Sequence, residues 1–230
     1  MRIKITVQRV SLGAEQYRVV RPATPLNNAA LHAHRDDVYD MYVDRVDGQR
    51  LGTLWLLAAR SRRSLVYLPM RATPPPPGIG VDDHFPERPL DLVLVHHSLQ
   101  FPPSRWKRIR ERITAGNASR RLQTAAVPDS DLPTDEEIDH PARNHQEHRD
   151  VLHQRLHAET LFLTGSTAAF REQARHFFAL AKEGPPAAAG NSLYLLGGCN
   201  YHVCRGFDWT YREPRGSCRV HVEYCPRWTR

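Results

Sequence analysis

Alternating apolar and polar residues predict a β-sheet at the start of the chain. Residues 1–10 place Ile3, Ile5 and Val7 on one face of an extended segment, with polar residues between them. This period of two is typical of a half-buried strand. Further β-rich segments follow at 16–20, 38–46, 51–59 and 64–70. Short turns separate the last three, so the pattern predicts an antiparallel meander.

Helical periodicity first appears after an apolar strand predicted at 90–95. Trp106, Ile109 and Ile113 follow one another at the i, i+3 and i+7 positions of a helical face. That spacing predicts an amphipathic helix over 104–116 that packs through one apolar stripe. The residues between the stripe positions are almost all basic.

Composition divides the chain into three parts. Residues 1–116 carry the antiparallel sheet and the basic helix, and residues 117–140 are polar, acidic and rich in turn formers, which predicts a linker. Residues 141–230 begin with a helix predicted to run to about residue 157. A β-α-β-β unit follows, with strands at 159–164, 192–196 and 217–224 and a helix at 166–184. The predicted fold class is therefore α+β.

The segment LFLTGSTAAFREQARHFFALAKEG, residues 161–184, is a strand followed by a long amphipathic helix. In this arrangement it resembles certain small immunity proteins of bacterial toxin systems. The resemblance covers less than a third of the chain. It implies a bacterial protein that binds another protein.

Net charge favours an anionic partner. The 230 residues include 32 Lys and Arg against 25 Asp and Glu, a formal charge of +7, which suits nucleic acid or an acidic protein. Only three of the basic residues are lysine, a skew that GC-rich coding also produces. No signal peptide and no apolar stretch of membrane-spanning length occurs, so we expect a cytoplasmic protein without a membrane partner.

Seven basic residues in and after the predicted helix are the candidate anion-binding residues. They are Arg105, Lys107, Arg108, Arg110, Arg112, Arg120 and Arg121. A helix with one cationic face neutralises phosphates or carboxylates, although a solvated surface has the same appearance. We also expect the flexible acidic linker to reach this helix and compete with other anions.

The cysteines give little support for a metal site. All four follow residue 198, and Cys218 and Cys225 are separated by an odd number of positions, which sends them to opposite faces of a straight strand. Cys218 shares its predicted face with Val220 and Val222, which indicates a core position. From this spacing we predict no bound metal and no cofactor.

Four histidines are the candidates for a catalytic role. His96 and His97 end an apolar strand, while His153 and His157 lie one turn apart on the predicted helix. The second pair has metalloprotease spacing, but Gln154 stands where that motif needs a glutamate. No nucleophile motif or phosphate-binding loop accompanies either pair.

The sequence therefore favours a non-catalytic cytoplasmic binding protein that recognises a macromolecular partner through charged surfaces. One alternative is a sequence-nonspecific nucleic-acid-binding protein that uses residues 105–121. The other is a histidine-dependent hydrolase or a metal protein. A protein partner and nucleic acid are both compatible with the charge pattern.

Overall fold

The computed structural model describes residues 1–33, 38–77, 79, 88–143, 145, 147–194, 202–207 and 218–228. Within these ranges the chain forms two mixed sheets and four α-helices, which confirms the α+β prediction. The helices are α1 (Arg45–Arg60), α2 (Trp106–Thr114), α3 (His140–Arg143) and α4 (Thr167–Gly190). Among these described residues, no helix has the length and apolar character needed to cross a membrane.

Sheet A has the strand order β8-β1-β2-β5-β7-β10-β9. Its strands are β1 (Arg2–Leu12), β2 (Glu15–Pro22), β5 (Ser64–Leu68), β7 (Asp91–His96), β8 (Ser119–Ala126), β9 (His153–His157) and β10 (Thr160–Gly165). Two neighbouring pairs, β2 with β5 and β7 with β10, are parallel. Because its other neighbouring pairs are antiparallel, sheet A is mixed. Each parallel pair needs a long crossover connection, since a short hairpin joins only antiparallel strands.

Sheet B has the order β11-β12-β4-β3-β6. Its strands are β3 (Ala29–Ala33), β4 (Tyr39–Val43), β6 (Arg88–Pro89), β11 (Cys204–Gly206) and β12 (Val220–Tyr224). It combines strands that are far apart along the chain, because β12 pairs in parallel with β4. Residues predicted as two sequential regions thus meet in one sheet.

The main core joins one face of each sheet to α1 and α4. Trp55 of α1 packs against Phe177 of α4 and Phe207, with ring centroids 4.7 and 6.1 Å away. On the opposite face of sheet A, α2 forms a second core through the predicted stripe that contains Trp106 and Ile109. Sheet A is therefore covered on both faces.

The predicted strand at 51–59 is wrong, because this segment lies within α1. The Asp44 side chain caps the helix by accepting a hydrogen bond from the Asp47 backbone N–H at 2.7 Å. Residues 51–56 are all buried. A helix enclosed on nearly every side shows no polar face and so no clear helical period, and its apolar run resembles a buried strand.

The predicted helix at 141–157 is present only at its start, as α3, and its end instead forms β9, paired antiparallel with β10. Leu152 and Leu156 lie four residues apart, a spacing that puts side chains on one face of a helix or of a strand. The helix predicted to stop at Gly184 continues to Gly190 through two prolines. Their fixed φ fits a helical backbone, although each removes a donor.

Residues 117–140 and 192–194 also differ from their predicted conformations. The range 117–140, predicted as a linker, contains β8, which pairs antiparallel with β1 along the edge of sheet A. The strand predicted at 192–196 falls partly outside the described residues, and residues 192–194 are not extended. The final predicted strand is present as β12, with Val220 and Val222 facing the core.

Candidate functional site

The structure separates the seven candidate anion-binding residues into paired and exposed groups. Arg105 forms an ion pair with Glu15. Arg110 lies 3.5 Å from the Asp91 carboxylate and 3.6 Å from that of Glu159, and only 17 % of its side chain is exposed. Arg110 is therefore used in internal structure, whereas Arg105 forms a half-exposed pair in which Glu15 offsets its charge.

Three basic side chains of α2 point into solvent. Lys107, Arg108 and Arg112 are exposed, and none takes part in an ion pair between described residues. Glu111 lies among them as the one acidic side chain of α2. The net charge of this face remains positive.

Arg120 and Arg121 fall on β8, where consecutive side chains point to opposite faces of the sheet. Arg120 pairs across to Gln8, on the face covered by α2, whereas Arg121 pairs across to Val7, on the face of the main core. Arg120 therefore shares a side of sheet A with α2. The sequence prediction had placed both arginines on one surface.

The β8 strand forms an open edge of sheet A in the described part of the chain. Leu122 is 65 % exposed on the same side as Arg120. On that side Thr6 of β1 lies across from Leu122, and Arg21 of β2 lies across from Thr6. The pKa of Arg21 is lowered chiefly by burial and also by repulsion from Arg120. Leu122 thus lies beside concentrated positive charge. We call Lys107, Arg108, Arg112, Arg120 and Leu122 the α2–β8 surface.

The acidic segment does not contact this surface through its described ion pairs. Asp131 pairs with Arg60 of α1 at 2.8 Å, Asp135 pairs with Arg175 of α4, and Asp129 contacts the N-terminal ammonium of the chain. The expectation that the segment reaches the basic helix is wrong. β8 carries the chain along the edge of sheet A, and the acidic residues emerge beside α1 and α4.

His96 is held in a structural role by both of its ring nitrogens. Nδ1 accepts a hydrogen bond from the Ser98 backbone N–H at 3.2 Å, and Nε2 lies 3.1 Å from Thr167 Oγ1. Burial lowers the pKa of His96, as do the neighbouring His97 and Arg62. Both ring nitrogens of His96 therefore have partners within the fold.

His153 and His157 occupy the two ends of β9 rather than one face of a helix. Four residues of strand separate their backbones by about 13 Å. Two ligands of a single ion must lie much closer together. The predicted placement of His153 and His157 one turn apart on a helix is therefore wrong.

A different set of metal-ligating residues converges on the outer face of sheet B. His221 and Glu223 alternate with core residues along β12, so both point away from the core. Cys204 pairs directly across from Glu223, and Asp40 of β4 pairs directly across from His221. His202 precedes Cys204 by two residues. Strand register alone thus brings five ligand-type side chains together on one face.

Short distances connect these side chains. His221 Nδ1 lies 3.1 Å from Glu223 Oε1 and 3.4 Å from Asp40 Oδ1, and His202 Nε2 lies 3.5 Å from Glu223 Oε2. The ligand atoms of His202, Cys204 and His221 all lie within 4.8 Å of one another. Imidazole, thiolate and carboxylate at these separations can hold a transition metal.

Burial and hydrogen bonding act in opposite directions on His221. Burial disfavours the charged ring, but hydrogen bonds to Asp40, Glu223 and Cys204 outweigh it and raise the pKa of His221 to about 11. The side chains of His202 and Glu223 are 0 % and 3 % exposed. These two side chains are thus shielded from water, so charges within the cluster interact strongly with one another.

Sequence reasoning missed this cluster because it looked for closely spaced cysteine pairs. The available signal was a pair of alternating motifs, His202-Val203-Cys204 and His221-Val222-Glu223, each of which places two ligands on one strand face. Cys218 is buried in the core, as predicted. Cys199 lies outside the described residues.

Comparison with known proteins gives no family assignment. No protein-family model, curated protein or solved structure matches this chain. Functional conclusions for this protein therefore depend on the geometry of the α2–β8 surface and of the buried cluster on sheet B.

Proposed function

We propose that the protein is a non-catalytic binding protein that recognises a macromolecular partner through charged surfaces, and that this partner is a protein with an acidic segment. The observation that carries the proposal is the exposed Leu122 on an open edge strand, beside Arg120 and on the side of sheet A that α2 covers. An apolar side chain within a cationic rim suits a partner with both apolar and acidic groups.

An edge strand favours a protein partner over nucleic acid. β8 has eight residues without proline, and its outward backbone N–H and C=O groups can pair with an added strand. Nucleic acids do not form such a ladder. Single-strand binders also need exposed aromatic rings for stacking, whereas Trp106 of α2 is fully buried.

Positive charge on β8 disfavours a second copy of the same chain. Full antiparallel pairing of two β8 strands would place Arg120 and Arg121 opposite Ala125 and Thr124, so the joined edge would carry four positive charges and no carboxylate to balance them. An acidic strand would instead form cross-strand ion pairs. The charge of the edge therefore selects a partner of opposite sign.

Binding of fluorescent poly-glutamate, measured by anisotropy at low ionic strength, tests the proposal. Arg108→Ala combined with Arg112→Ala should weaken binding roughly tenfold, because each exposed ion pair contributes about 0–1 kcal/mol. The matched control is Arg62→Ala combined with Arg63→Ala, which removes two exposed arginines from the turn before β5. Leu122→Ala should weaken binding of a peptide that contains leucine as well as glutamate, and this loss should persist at salt concentrations that screen charge.

Equal losses in the two double variants would refute a specific role for α2. A second candidate function is sequence-nonspecific nucleic-acid binding, favoured by the exposed guanidinium groups of Arg108 and Arg112 one helical turn apart. Tighter binding of a DNA duplex than of poly-glutamate at the same salt concentration, with no effect of Leu122→Ala, would establish that function instead.

A further inference from the structure

The outer face of sheet B brings together ligands from three adjacent strands. β11 contributes Cys204, β12 contributes His221 and Glu223, and β4 contributes Asp40. His202 lies two residues before Cys204 and adds a further ligand-type side chain next to β11. Because β11 has three residues and forms an edge of the sheet, few backbone hydrogen bonds hold it in place. A group that crosslinks its side chains to β12 would add to that attachment.

The side chains form two overlapping groups of ligand atoms, His202 with Cys204 and His221, and Asp40 with His221 and Glu223, which share His221. In a tetrahedral site with metal–ligand bonds of about 2.0–2.3 Å, neighbouring ligand atoms lie roughly 3.3–3.8 Å apart. His202 Nε2 and Glu223 Oε2 are already separated by 3.5 Å. The three atoms of His202, Cys204 and His221, within 4.8 Å of one another, need to approach by at most about 1.5 Å to reach that geometry.

We propose that His202, Cys204, His221 and Glu223 bind one zinc ion, with Asp40 as an outer partner of His221. Thiolate and imidazole donors in a tetrahedral arrangement favour zinc over the hard ions magnesium and calcium. His221 Nδ1 faces the Asp40 and Glu223 carboxylates, so its Nε2 is the metal-binding atom. A ligating histidine typically donates its other N–H to a carboxylate in this way.

Charge compensation also favours a metal at this position. Glu223 and Asp40 are 3 % and 17 % exposed, and both approach the same nitrogen of His221. One N–H shared between two carboxylates cannot be linear to both. A divalent ion that takes Glu223 as a ligand leaves the His221 N–H for Asp40.

The ion has a structural role, since it joins β11 to β12 in a shielded position. Structural zinc contributes directly to folding free energy. Zinc removal should therefore lower the melting temperature and increase hydrogen exchange at residues 202–206 before it affects sheet A. This proposal is independent of the α2–β8 surface, because the cluster lies on a different sheet.

The test uses the full chain expressed without a histidine tag, stripped with a chelator and reloaded. Titration with zinc against a chromophoric chelator should give one tight site per chain. Cobalt loading should produce thiolate-to-metal charge-transfer absorption, which only a cysteine ligand supplies. Absence of that band in the parent protein would overturn the proposal without reference to any variant.

Variants assign the ligands. Cys204→Ser should abolish the charge-transfer band, and Asp40→Asn should weaken zinc binding by about 10- to 100-fold, as expected for an outer partner. Cys225→Ala is the matched control, because this buried thiol donates to the Arg227 carbonyl and lies outside the cluster. A metal site elsewhere in the chain is indicated if Cys225→Ala removes the band and Cys204→Ser retains it. A parent protein that binds no zinc would show that the cluster is a metal-free ion network.

Discussion

Two helical glycines should respond to alanine in opposite directions. Helix propensity alone predicts that Gly48→Ala in α1 and Gly184→Ala in α4 each stabilise the protein by about 1 kcal/mol. At Gly48 an added Cβ would make ordinary contacts, 3.6 Å from Val43 Cγ2 and 3.8 Å from Ala181 Cβ. The gain should therefore be retained at this position.

Gly184 faces the ring of Tyr224, which is 6 % exposed. An added Cβ would lie 2.5 Å from both Cδ atoms of the ring and closer still to Cγ, whereas ordinary contacts begin at 3.4 Å. Overpacking of a close-packed site costs about 1–3 kcal/mol, and a non-glycine residue before Pro185 is disfavoured in a helix. The net effect should be a loss of about 1–2 kcal/mol.

Urea denaturation of the two variants and the parent measures both effects as changes in the free energy of unfolding. The Tyr224→Ala background removes the ring, so the penalty of Gly184→Ala should shrink there by about 1–2 kcal/mol, a coupling expected only for residues in contact. A Gly184→Ala protein as stable as the parent, or an equal penalty in both backgrounds, would refute the packing argument between α4 and β12.

Two further predictions concern buried polar groups. Asp91→Ala should lower the free energy of unfolding by about 3–5 kcal/mol. The buried Asp91 carboxylate accepts hydrogen bonds from the Tyr67 hydroxyl and from two backbone N–H groups at 3.0–3.2 Å. The control is Asp129→Ala at an exposed position, where the loss should be under about 1 kcal/mol. Burial, reinforced by nearby arginines, lowers the pKa of His176 to about 4. Between pH 6.5 and pH 4 the unfolded chain therefore binds more protons than the folded one, and stability should fall as pH falls, by up to about 1.4 kcal/mol per pH unit. Denaturation at pH 7, 6 and 5 measures this slope, and an equal slope in His176→Gln would contradict the prediction.

Local pattern predicted the elements that have one buried and one solvated side. The β1 strand and the α2 helix show clear periods because polar residues separate the apolar ones that pack into a core, although Thr6 and Gln8 of β1 are themselves buried. Trp106 and Ile109 are buried as predicted. The α1 helix was missed for the opposite reason. It lies inside the main core with residues 51–56 all buried, so no polar stripe marks its period.

The sequence by itself determined the α+β class, the inward stripe of α2, the buried position of Cys218 and the excess of positive charge. Tertiary structure decided which charges remain available: Arg105 and Arg110 are used in ion pairs, and strand alternation sends Arg120 and Arg121 to opposite faces. Tertiary structure also assembles the cluster on sheet B, where Asp40 lies across from His221 although the two are 181 positions apart in the sequence. Spacing along a chain reveals only neighbours on the same element, whereas strand register brings distant residues together. Register depends on the packing of the whole core.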